Sequence, residues 1–433
     1  MSEADASQHK TDVRRHFWRN YVAQAMDGGC FGGGLAFVDA RTVLPTIAMS
    51  LGGPPWLISL MPVMFLVGIA IPPIFTAHLI DRLTRFKPLL LTTGIFQRLP
   101  YLLAGIALLT AAAGSKSVML AAVALAPLFS GLACGSTMTG WQQLVMRTIP
   151  EGRRSSVMAM RFAISGIIGL GAGWVVKAVL SRWPEATGYA ILHFAAFVAL
   201  AMSYVAFSLI RETGVRPPAA RAHGLRENFR AIPHLLRSAG NLRVYLAACA
   251  LLNGIYIVVP FLAIHALHVL DRPESYAGDL LVVQMAGIIA GNLAAAYLGD
   301  RFGGRLVLVV AQVMFIGLAG WSIAAETDVA LRTIFFLFGF AISAIQVGTV
   351  TVTMDICPAE RRATHLAIIA VVNLPSMLIA TGIGGLLWTG PERYGLVAGL
   401  AIAAVAASLA LTARLREPRG WSANSGQPPA KTV

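Results

Sequence analysis

Two short sequence motifs, each present in two similar copies, decide the fold of this chain. Residues 81–85 read DRLTR and residues 300–305 read DRFGGR, while residues 149–154 read IPEGRR and residues 357–362 read CPAERR. The two sequences follow one another in the same order in both halves. Two unrelated matches in the same order are hard to obtain by chance, so the chain contains an internal repeat.

The composition around this repeat is typical of a membrane protein. Of 433 residues, 57% are hydrophobic and 12% are charged, and the mean hydropathy is +0.70. A soluble domain has about 25% charged residues and less than about 50% apolar ones, so the composition excludes a water-soluble globule. Apolar runs of about 20 residues recur along the chain, and each is long enough to cross a bilayer as a helix.

Charged and turn residues divide the apolar sequence into twelve predicted membrane-spanning helices, numbered below as spans one to twelve. In the first half their predicted limits are Gly28–Met49, Trp56–Ile80, Pro88–Ala111, Val118–Val145, Ser155–Leu180 and Gly188–Ile210. In the second half they are Tyr245–Leu267, Asp279–Leu298, Leu306–Ala325, Thr333–Met354, Ala363–Trp388 and Tyr394–Ala413. The chain is therefore predicted to be an all-α membrane protein.

The basic residues indicate which loops face the cytoplasm. Lys and Arg together number 34 against 20 Asp and Glu, a net charge of +14. The two termini, the central loop and the loops after spans two, four, eight and ten hold 25 of the 34, whereas the alternate loops hold five and the spans four. Because basic residues concentrate on the cytoplasmic side of membrane proteins, both termini are predicted to be cytoplasmic. The positive charge is thus a topology signal, and we expect no nucleic acid as a partner.

The longest polar stretch inside the chain separates six spans from six. We predict a cytoplasmic tail and six-helix bundle over residues 1–210, a cytoplasmic linker over 211–243, a second six-helix bundle over 244–413 and a disordered cytoplasmic tail over 414–433. Apolar residues at positions 225, 229, 232 and 236 recur at helical spacing among arginines, which favours an amphipathic helix in the membrane interface. A solvated basic loop is the alternative.

Twelve spans in a six-plus-six arrangement, a long central loop and an Asp-Arg turn after spans two and eight resemble the major facilitator superfamily of secondary transporters. The resemblance covers nearly the whole chain. It implies two six-helix bundles related by pseudo-two-fold symmetry, which rock about a site near the middle of the membrane. The family's signature loop runs Gly-x-Leu-x-Asp-Arg-x-Gly-Arg. In the first half of this chain neither glycine is kept and Thr84 stands at the second, while in the second half Ala296 replaces the first glycine and Gly303 is kept.

By this resemblance the Asp-Arg turns are cytoplasmic switches. Such a turn can make charge-assisted hydrogen bonds to neighbouring helix ends in one state and release them in the other. The residues assigned to cytoplasmic gating are Asp81, Arg82, Arg85, Asp300, Arg301 and Arg305. For the arginines, simple anchoring on the positive cytoplasmic side is the alternative.

Paired glycines mark three spans in which close helix packing is expected. The pairs are Gly169 and Gly173 in span five, Gly287 and Gly291 in span eight, and Gly382 and Gly385 in span eleven. Small residues on one helix face let the backbones of two helices approach. Static packing and a role in helix sliding are both open.

Ionisable residues inside span one are candidates for function, because each costs at least about 2.5 kcal/mol at the centre of a membrane helix. The resemblance places span one at the central cavity, which makes Asp39 a candidate substrate or proton site, with a structural ion pair as the alternative. Arg41 points the opposite way on a regular helix. Both side chains could face one cavity only if the helix is broken, which Gly32–Gly34 and Pro45 would permit.

Three further cations fall inside spans. Arg98, central in span three, is the natural candidate partner of Asp39, and we expect its role to be structural more than functional. Arg161 and Lys177 lie near the two ends of span five and are expected to extend their charged groups towards the membrane surface.

Neutral polar side chains in spans four, seven and ten complete the predicted site, since the resemblance places these spans at the cavity. They supply directional hydrogen bonds and stacking area, which suit a polar organic substrate. The candidates are Trp141, Gln142, Gln143, Asn253, Tyr256, Gln346 and Thr349. Hydrogen bonding between helices is the alternative role for each of them.

The function that this pattern predicts is secondary active transport of a small organic solute by alternating access, with proton coupling left open. A non-transporting membrane sensor or scaffold on the same fold, a drug efflux antiporter and an integral membrane enzyme are the alternatives. An enzyme would need a cluster of His, Asp or Glu near a membrane face, which the sequence does not show. A sensor would need an appended domain, and we expect none after residue 413.

The remaining expectations concern cofactors, partners and location. Four single cysteines and the lack of a phosphate-binding loop predict no metal, no cofactor and no catalytic residues. We expect a monomer whose partners are its substrate, protons if transport is proton-coupled, and the lipid bilayer. An excess of Arg over Lys and an abundance of Ala favour the inner membrane of a bacterium as its plasma membrane.

Overall fold

The computed structural model describes residues 13–80, 83–111, 115–183, 185–212, 240–356 and 362–415. Within these ranges every regular element is a helix. The predicted amphipathic helix around residues 225–237, the tail after residue 415, and the two gating residues Asp81 and Arg82 lie outside the described residues.

The first half of the chain contains the helices of spans one to six. Their bounds are Phe17–Ala36 and Val43–Ser50 for span one, Pro55–Leu60, Met61–Val63, Met64–Ala70 and Pro73–Ile80 for span two, Lys87–Ala111 for span three, Lys116–Thr148 for span four, Arg154–Arg182 for span five and Glu185–Ser208 for span six. Proline explains the breaks in span two, because Pro62 and Pro72 cannot donate the hydrogen bonds that continue a helix.

The second half repeats this series. The bounds are Gly240–Leu252, Asn253–Ile257 and Val259–Val269 for span seven, Tyr276–Phe302 for span eight, Gly304–Ala324 for span nine, Asp328–Ile356 for span ten, Arg362–Leu387 for span eleven and Tyr394–Arg414 for span twelve. Spans eight and nine are joined at Gly303, whose φ of 87° lies in the left-handed region that glycine adopts without strain.

Nine helices in the described part of the chain are long and apolar enough to cross a membrane. They correspond to spans three to ten and span twelve. Spans one and two are interrupted, and the apolar segment Val372–Leu387 of span eleven is shorter. Large apolar side chains cover the outside of the helices, including Leu386 at 81% exposure and Trp174 at 70%. A surface of this kind is stable against lipid, and the chain is a multi-pass membrane protein.

Residue contacts divide the chain into two compact units. The first unit comprises Met1–Gly224 and Pro260–Val282, and the second comprises Leu225–Val259 and Val283–Val433. Each unit has its own apolar core. The core of the first includes Ala23, Ile80, Phe86, Leu90, Leu144, Phe207 and Ile210, and that of the second includes Leu242, Tyr245, Leu246, Cys249, Val352, Ile369 and Leu415. The predicted domain limits at residues 210 and 244 stay a prediction.

Glycines bring helix backbones together in both units. In the second unit a Cβ at Gly287 or Gly291 would overlap the backbone of Phe336 or Phe340 in span ten, and in the first unit a Cβ at Gly173 would lie 2.9 Å from the carbonyl oxygen of Gly278. Close packing at these glycines of spans five and eight is therefore confirmed. At Gly382 an added Cβ would meet no described atom within 4 Å, so this position is not a close contact.

Candidate functional site: a buried charge cluster in the first unit

The buried carboxylate of Asp27 in span one joins three other helices of the first unit. Its Oδ2 lies 3.1 Å from Nη1 of Arg161 in span five, and its Oδ1 accepts a hydrogen bond of 2.8 Å from the Ser203 hydroxyl in span six. Nη2 of Arg98 in span three lies 3.8 Å from the same Oδ1. Asp27, Arg98 and Arg161 are called the charge cluster below. The helix of span one begins at Phe17, so Asp27 lies inside it, whereas the sequence analysis started the span at Gly28 and missed this residue.

Arg98 is buried, and its donors are directed at protein acceptors. Nε donates to the Leu200 carbonyl at 2.7 Å, Nη1 to the Gly94 carbonyl at 2.8 Å and to Gln97 Oε1 at 3.0 Å, and Nη2 to the Ser203 hydroxyl at 2.9 Å. The side chain thus connects span three to span six. The ion-pair partner of Arg98 is Asp27 and not Asp39, since Asp27 Oδ1 lies 3.8 Å from its Nη2.

Arg161 is held on one side only. Its Nη1 donates to the Gln24 carbonyl at 2.7 Å, to Gln24 Oε1 at 3.3 Å and to Asp27 Oδ2 at 3.1 Å. The guanidinium carbon lies 4.9 Å from the centroid of the Trp141 ring, a cation–π distance. Nε and Nη2 donate no hydrogen bond to any described residue, and 15% of the side chain is exposed. The expectation that Arg161 extends to the membrane surface is wrong, since the Asp27 carboxylate draws it into the bundle.

Glycine makes room for this guanidinium. A Cβ at Gly28 would overlap Nε and Cζ of Arg161, so the charged group lies directly against the backbone of span one. The other cation of span five, Lys177, is also paired, with its Nζ 2.9 Å from Asp279 Oδ2. More than half of the Lys177 side chain is exposed, at 52%, so its expected extension to the membrane surface stays a prediction.

Asp39 and Arg41 lie where the helix of span one is broken, between Ala36 and Val43. Asp39 Oδ1 accepts hydrogen bonds from the backbone N–H groups of Arg41 at 3.0 Å and Thr42 at 2.9 Å. The carboxylate therefore stabilises the turn that leads into the second helical segment, where a negative charge also interacts favourably with the helix dipole. The break that the glycines and proline would permit is present. A role of Asp39 or Arg41 in substrate binding stays a prediction.

The predicted neutral site residues lie in two separate places. Trp141 packs against Arg161 in the first unit, with the half-buried Gln143 and the exposed Gln142 beside it on span four. In the second unit Asn253 Nδ2 donates to Ser376 Oγ at 2.8 Å and to the Asn373 carbonyl at 3.3 Å, which is a bond between helices.

The other second-unit candidates do not form a cluster with Asn253 in the described contacts. Tyr256 lies in the same 3₁₀ turn, Gln346 is exposed on span ten, and the Thr349 carbonyl accepts a bond of 3.0 Å from the Tyr245 hydroxyl. Substrate contact by any of these residues stays a prediction.

One of the described gating residues, Arg305, binds the end of another helix. Arg305 donates to the Ala413 carbonyl at the end of span twelve, and Arg301 Nη1 donates to the Tyr297 hydroxyl at 3.0 Å. Arg85 and Asp300 are exposed. Their gating role stays a prediction.

Hydrogen bonds and an ion pair connect the loop between spans two and three to the end of span six. Sequence reasoning did not identify the residues that make them. The Glu212 carboxylate accepts from the backbone N–H groups of Phe86 at 2.9 Å and Lys87 at 3.0 Å, and lies 3.1 Å from Arg147 Nη1. Lys87 Nζ donates to the Ser208 carbonyl at 2.7 Å. Glu212 thereby caps the start of span three. Its only sequence signal is a single acidic residue at the start of a basic linker.

The fold is shared with solved membrane transporters. The structure of a D-xylose-proton symporter matches with a TM-score of 0.70 at 12% identity, over 94% of this chain and 99% of that one. The nucleoside transporter NupG matches with a TM-score of 0.66 at 14% identity, over 90% and 100%. A bacterial homologue of the iron transporter ferroportin, in its inward-facing state, matches with a TM-score of 0.64 at 15% identity, over 92% and 98%. At these identities the likeness is one of fold.

Two sequence comparisons add to the structural ones. A stretch of 80 residues is 35% identical to Organic anion transporter 3 of Oryctolagus cuniculus, which covers 18% of this chain and 15% of that relative's length. Residues 244–432 match the model of the Major Facilitator Superfamily. The resemblance inferred from the repeat is thereby confirmed: residues 244–432 match the superfamily model, and 90–94% of the chain shares the fold of these solved transporters.

Proposed function

We propose that this protein is a secondary active transporter that moves a small organic solute across a membrane by alternating access. The observation that carries the proposal is the charge cluster. Each charged side chain costs at least about 2.5 kcal/mol at the centre of a membrane helix, so three of them inside membrane-spanning helices point to a function. The cluster supplies both signs of charge in one place, which can bind charged or polar groups of a solute.

The names of similar proteins support this proposal. The matched structures are named as transporters of D-xylose with protons and of nucleosides, and the matched relative is named as a transporter of organic anions. These three share a small organic solute, whereas the matched ferroportin homologue is named for iron. The distribution of Lys and Arg supports two cytoplasmic termini, and the excess of Arg over Lys with the abundance of Ala supports a bacterial inner membrane. We propose a monomer as the working unit.

Asp27 is the residue that we propose for coupling to protons. A carboxylate that binds a guanidinium when ionised releases it when protonated, so proton binding at Asp27 would free Arg161 from its partner. The predicted switch residues Asp81, Arg82, Arg85, Asp300, Arg301 and Arg305 would then control the cytoplasmic side. The bond from Arg305 to the end of span twelve is the kind of contact that such a switch breaks and remakes.

Transport by the purified protein in proteoliposomes tests the proposal. Sugars, nucleosides, amino acids, organic acids and cationic drugs are supplied with and without a proton gradient. We expect one class to accumulate when the gradient is present. The Asp27→Asn variant should lose accumulation but keep exchange of labelled for unlabelled solute, because a neutral residue 27 removes coupling without blocking the movement of the loaded protein.

Asp328→Asn is the matched control. Asp328 pairs with Arg332 at 2.7 Å on an exposed helix face, so removal of its charge should leave transport unchanged. A panel in which no solute moves under either condition contradicts the proposal. Accumulation that is unchanged in Asp27→Asn removes Asp27 from the coupling step.

A further inference from the structure

The charge cluster contains more positive than negative charge. Two guanidinium groups, Arg98 and Arg161, face one carboxylate, that of Asp27. Among the described residues within hydrogen-bonding distance of these three groups there is no second carboxylate. The charge cluster itself therefore holds an excess positive charge that a negative ligand would neutralise.

The hydrogen-bonding groups of the cluster show a matching excess of donors. Both oxygens of Asp27 already accept bonds, Oδ1 from Ser203 and Oδ2 from Arg161. Three donors are left without a partner among the described residues: Nε and Nη2 of Arg161, and Nε2 of Gln24, which is fully buried. The Gln24 amide faces Arg161 with its oxygen, as a guanidinium requires, so the amide nitrogen is the end that lacks an acceptor. A missing partner must accept several hydrogen bonds and carry negative charge.

The open edge of Arg161 has the geometry of a carboxylate receptor. Nε and Nη2 form one side of the planar guanidinium, and two parallel N–H groups on one side bind the two oxygens of a carboxylate together. The Trp141 ring centroid lies 4.9 Å from the guanidinium carbon, and the backbone at Gly28 lies against the group. Among the described residues, the Nε and Nη2 edge is the side of the guanidinium that has no hydrogen-bonding partner.

We propose that the transported solute is a small organic anion whose carboxylate binds the Nε and Nη2 edge of Arg161. That the anion is transported rests on the proposed function. That it binds at Arg161 does not depend on transport. Arg98 is a positioning residue in this site, because its donors are spent on spans three and six and it fixes Asp27 through Ser203.

Ligand-dependent thermal unfolding of the purified full-length protein, in chloride-free buffer, tests the site without requiring transport. Benzoate and succinate are compared with their neutral amides, benzamide and succinamide, which have the same shape. We expect at least one of the two carboxylates to raise the unfolding temperature in proportion to the logarithm of its concentration, and the amides to leave it unchanged. Equal shifts from a carboxylate and its amide, or no shift from either carboxylate, overturn the proposal.

Two variants locate the binding at Arg161. Arg161→Lys keeps the charge but has no two-pronged edge, so the dissociation constant of the active carboxylate should rise at least tenfold. Gly28→Ala displaces the guanidinium without changing any charge and should have a similar effect. Gly171→Ala is the control in span five, because a Cβ there meets no described atom within 4 Å. A carboxylate shift that is unchanged in both Arg161→Lys and Gly28→Ala overturns the assignment.

Binding and transport can fail separately. A carboxylate that binds through Arg161 in a protein that moves no solute supports the site and contradicts the proposed transport. Transport of a neutral or cationic solute by a protein that binds neither carboxylate supports the transport function and overturns the anion site.

Discussion

Each half of the chain ties its first, third and sixth helices together through a buried polar junction, but the first half uses charges and the second uses neutral groups. In the first unit Arg98 of span three connects to Ser203 of span six and, through it, to Asp27 of span one. In the second unit Gln312 of span nine donates to Ser408 of span twelve at 3.1 Å. Ser408 in turn donates to the Ala248 carbonyl of span seven at 2.7 Å.

The same comparison holds where the first helix of each half is broken. The break in span one is stabilised by the Asp39 carboxylate, whereas the 3₁₀ turn Asn253–Ile257 in span seven is held by the neutral amide of Asn253. One contact near the start of the third helix is shared by both halves. Lys87 and Arg305, each at the start of the third helix of its half, both donate to a carbonyl at the end of the sixth helix.

The difference shows that charge is not needed to build this fold. A glutamine joins the helices of the second unit in the position where an arginine joins those of the first. A buried ion pair is often no better for stability than a neutral replacement, because desolvation cancels much of the attraction. The fold therefore does not require the charges of the first unit, and the proposed binding role gives a reason for their presence.

The largest expected effect is on the charged junction. Asp27→Ala leaves both guanidinium groups without a carboxylate, and breaking a buried pair in this way costs about 3–5 kcal/mol. We expect the free energy of unfolding in detergent to fall by that amount, together with loss of transport. A loss as small as that of a neutral hydrogen bond would mean that water already compensates the two arginines.

Substitution of a glycine at a close helix contact should reduce stability equally in the two halves. A Cβ at Gly131 would overlap the backbone of Phe65 in span two, and one at Gly339 would overlap the backbone of Gln284 in span eight. Gly131→Val and Gly339→Val should each reduce the free energy of unfolding by about 1–3 kcal/mol, the usual cost of overpacking. Unequal losses, measured by the same thermal unfolding, would show that the repeat differs in packing as well as in charge.

Substitutions at the two helix breaks should reduce stability less, and by similar amounts in the two halves. Asp39→Ala removes the acceptor of two backbone N–H groups and should cost about 1 kcal/mol. Asn253→Ala removes two neutral hydrogen bonds and should cost about as much. Thermal unfolding measures both, and transport is assayed in parallel. Loss of transport in Asp39→Ala with unchanged stability would place Asp39 in the binding site.

The neutral junction should tolerate an apolar substitution. Gln312→Leu removes bonds of 3.1 Å and 3.3 Å to Ser408 and Thr412, but both hydroxyls keep their bonds to backbone carbonyls. No buried donor is stranded, so the expected loss is about 1 kcal/mol with transport retained. A loss comparable to that of Asp27→Ala would remove the distinction between the halves.

The smallest effect is expected from an exposed charge pair. Arg332 and Asp328 lie four residues apart on span ten and are each more than one third exposed. Arg332→Ala should change the free energy of unfolding by no more than about 0.5 kcal/mol. This variant shows whether burial, and not charge as such, makes the first junction sensitive.

The spans and the repeat could be predicted because they depend on local composition. An apolar run of sufficient length is helical in a membrane whatever surrounds it, since lipid offers no partner for backbone hydrogen bonds. Single residues were harder to place. Asp27 does not stand out in the sequence because it precedes the first predicted span, Gly28–Met49, by one residue. Arg161 is predicted at the membrane surface because it lies near an end of span five, and the sequence does not show its partner.

The amino-acid sequence alone determined that this protein is a multi-pass helical membrane protein with an internal repeat, since hydrophobicity and repeated motifs are properties of the chain itself. The partners of its buried charges were decided by the tertiary structure. Asp27 meets Arg161, which is 134 residues away, and Ser203, which is 176 residues away. No local pattern encodes such a meeting, because it results from the packing of helices that are distant along the chain.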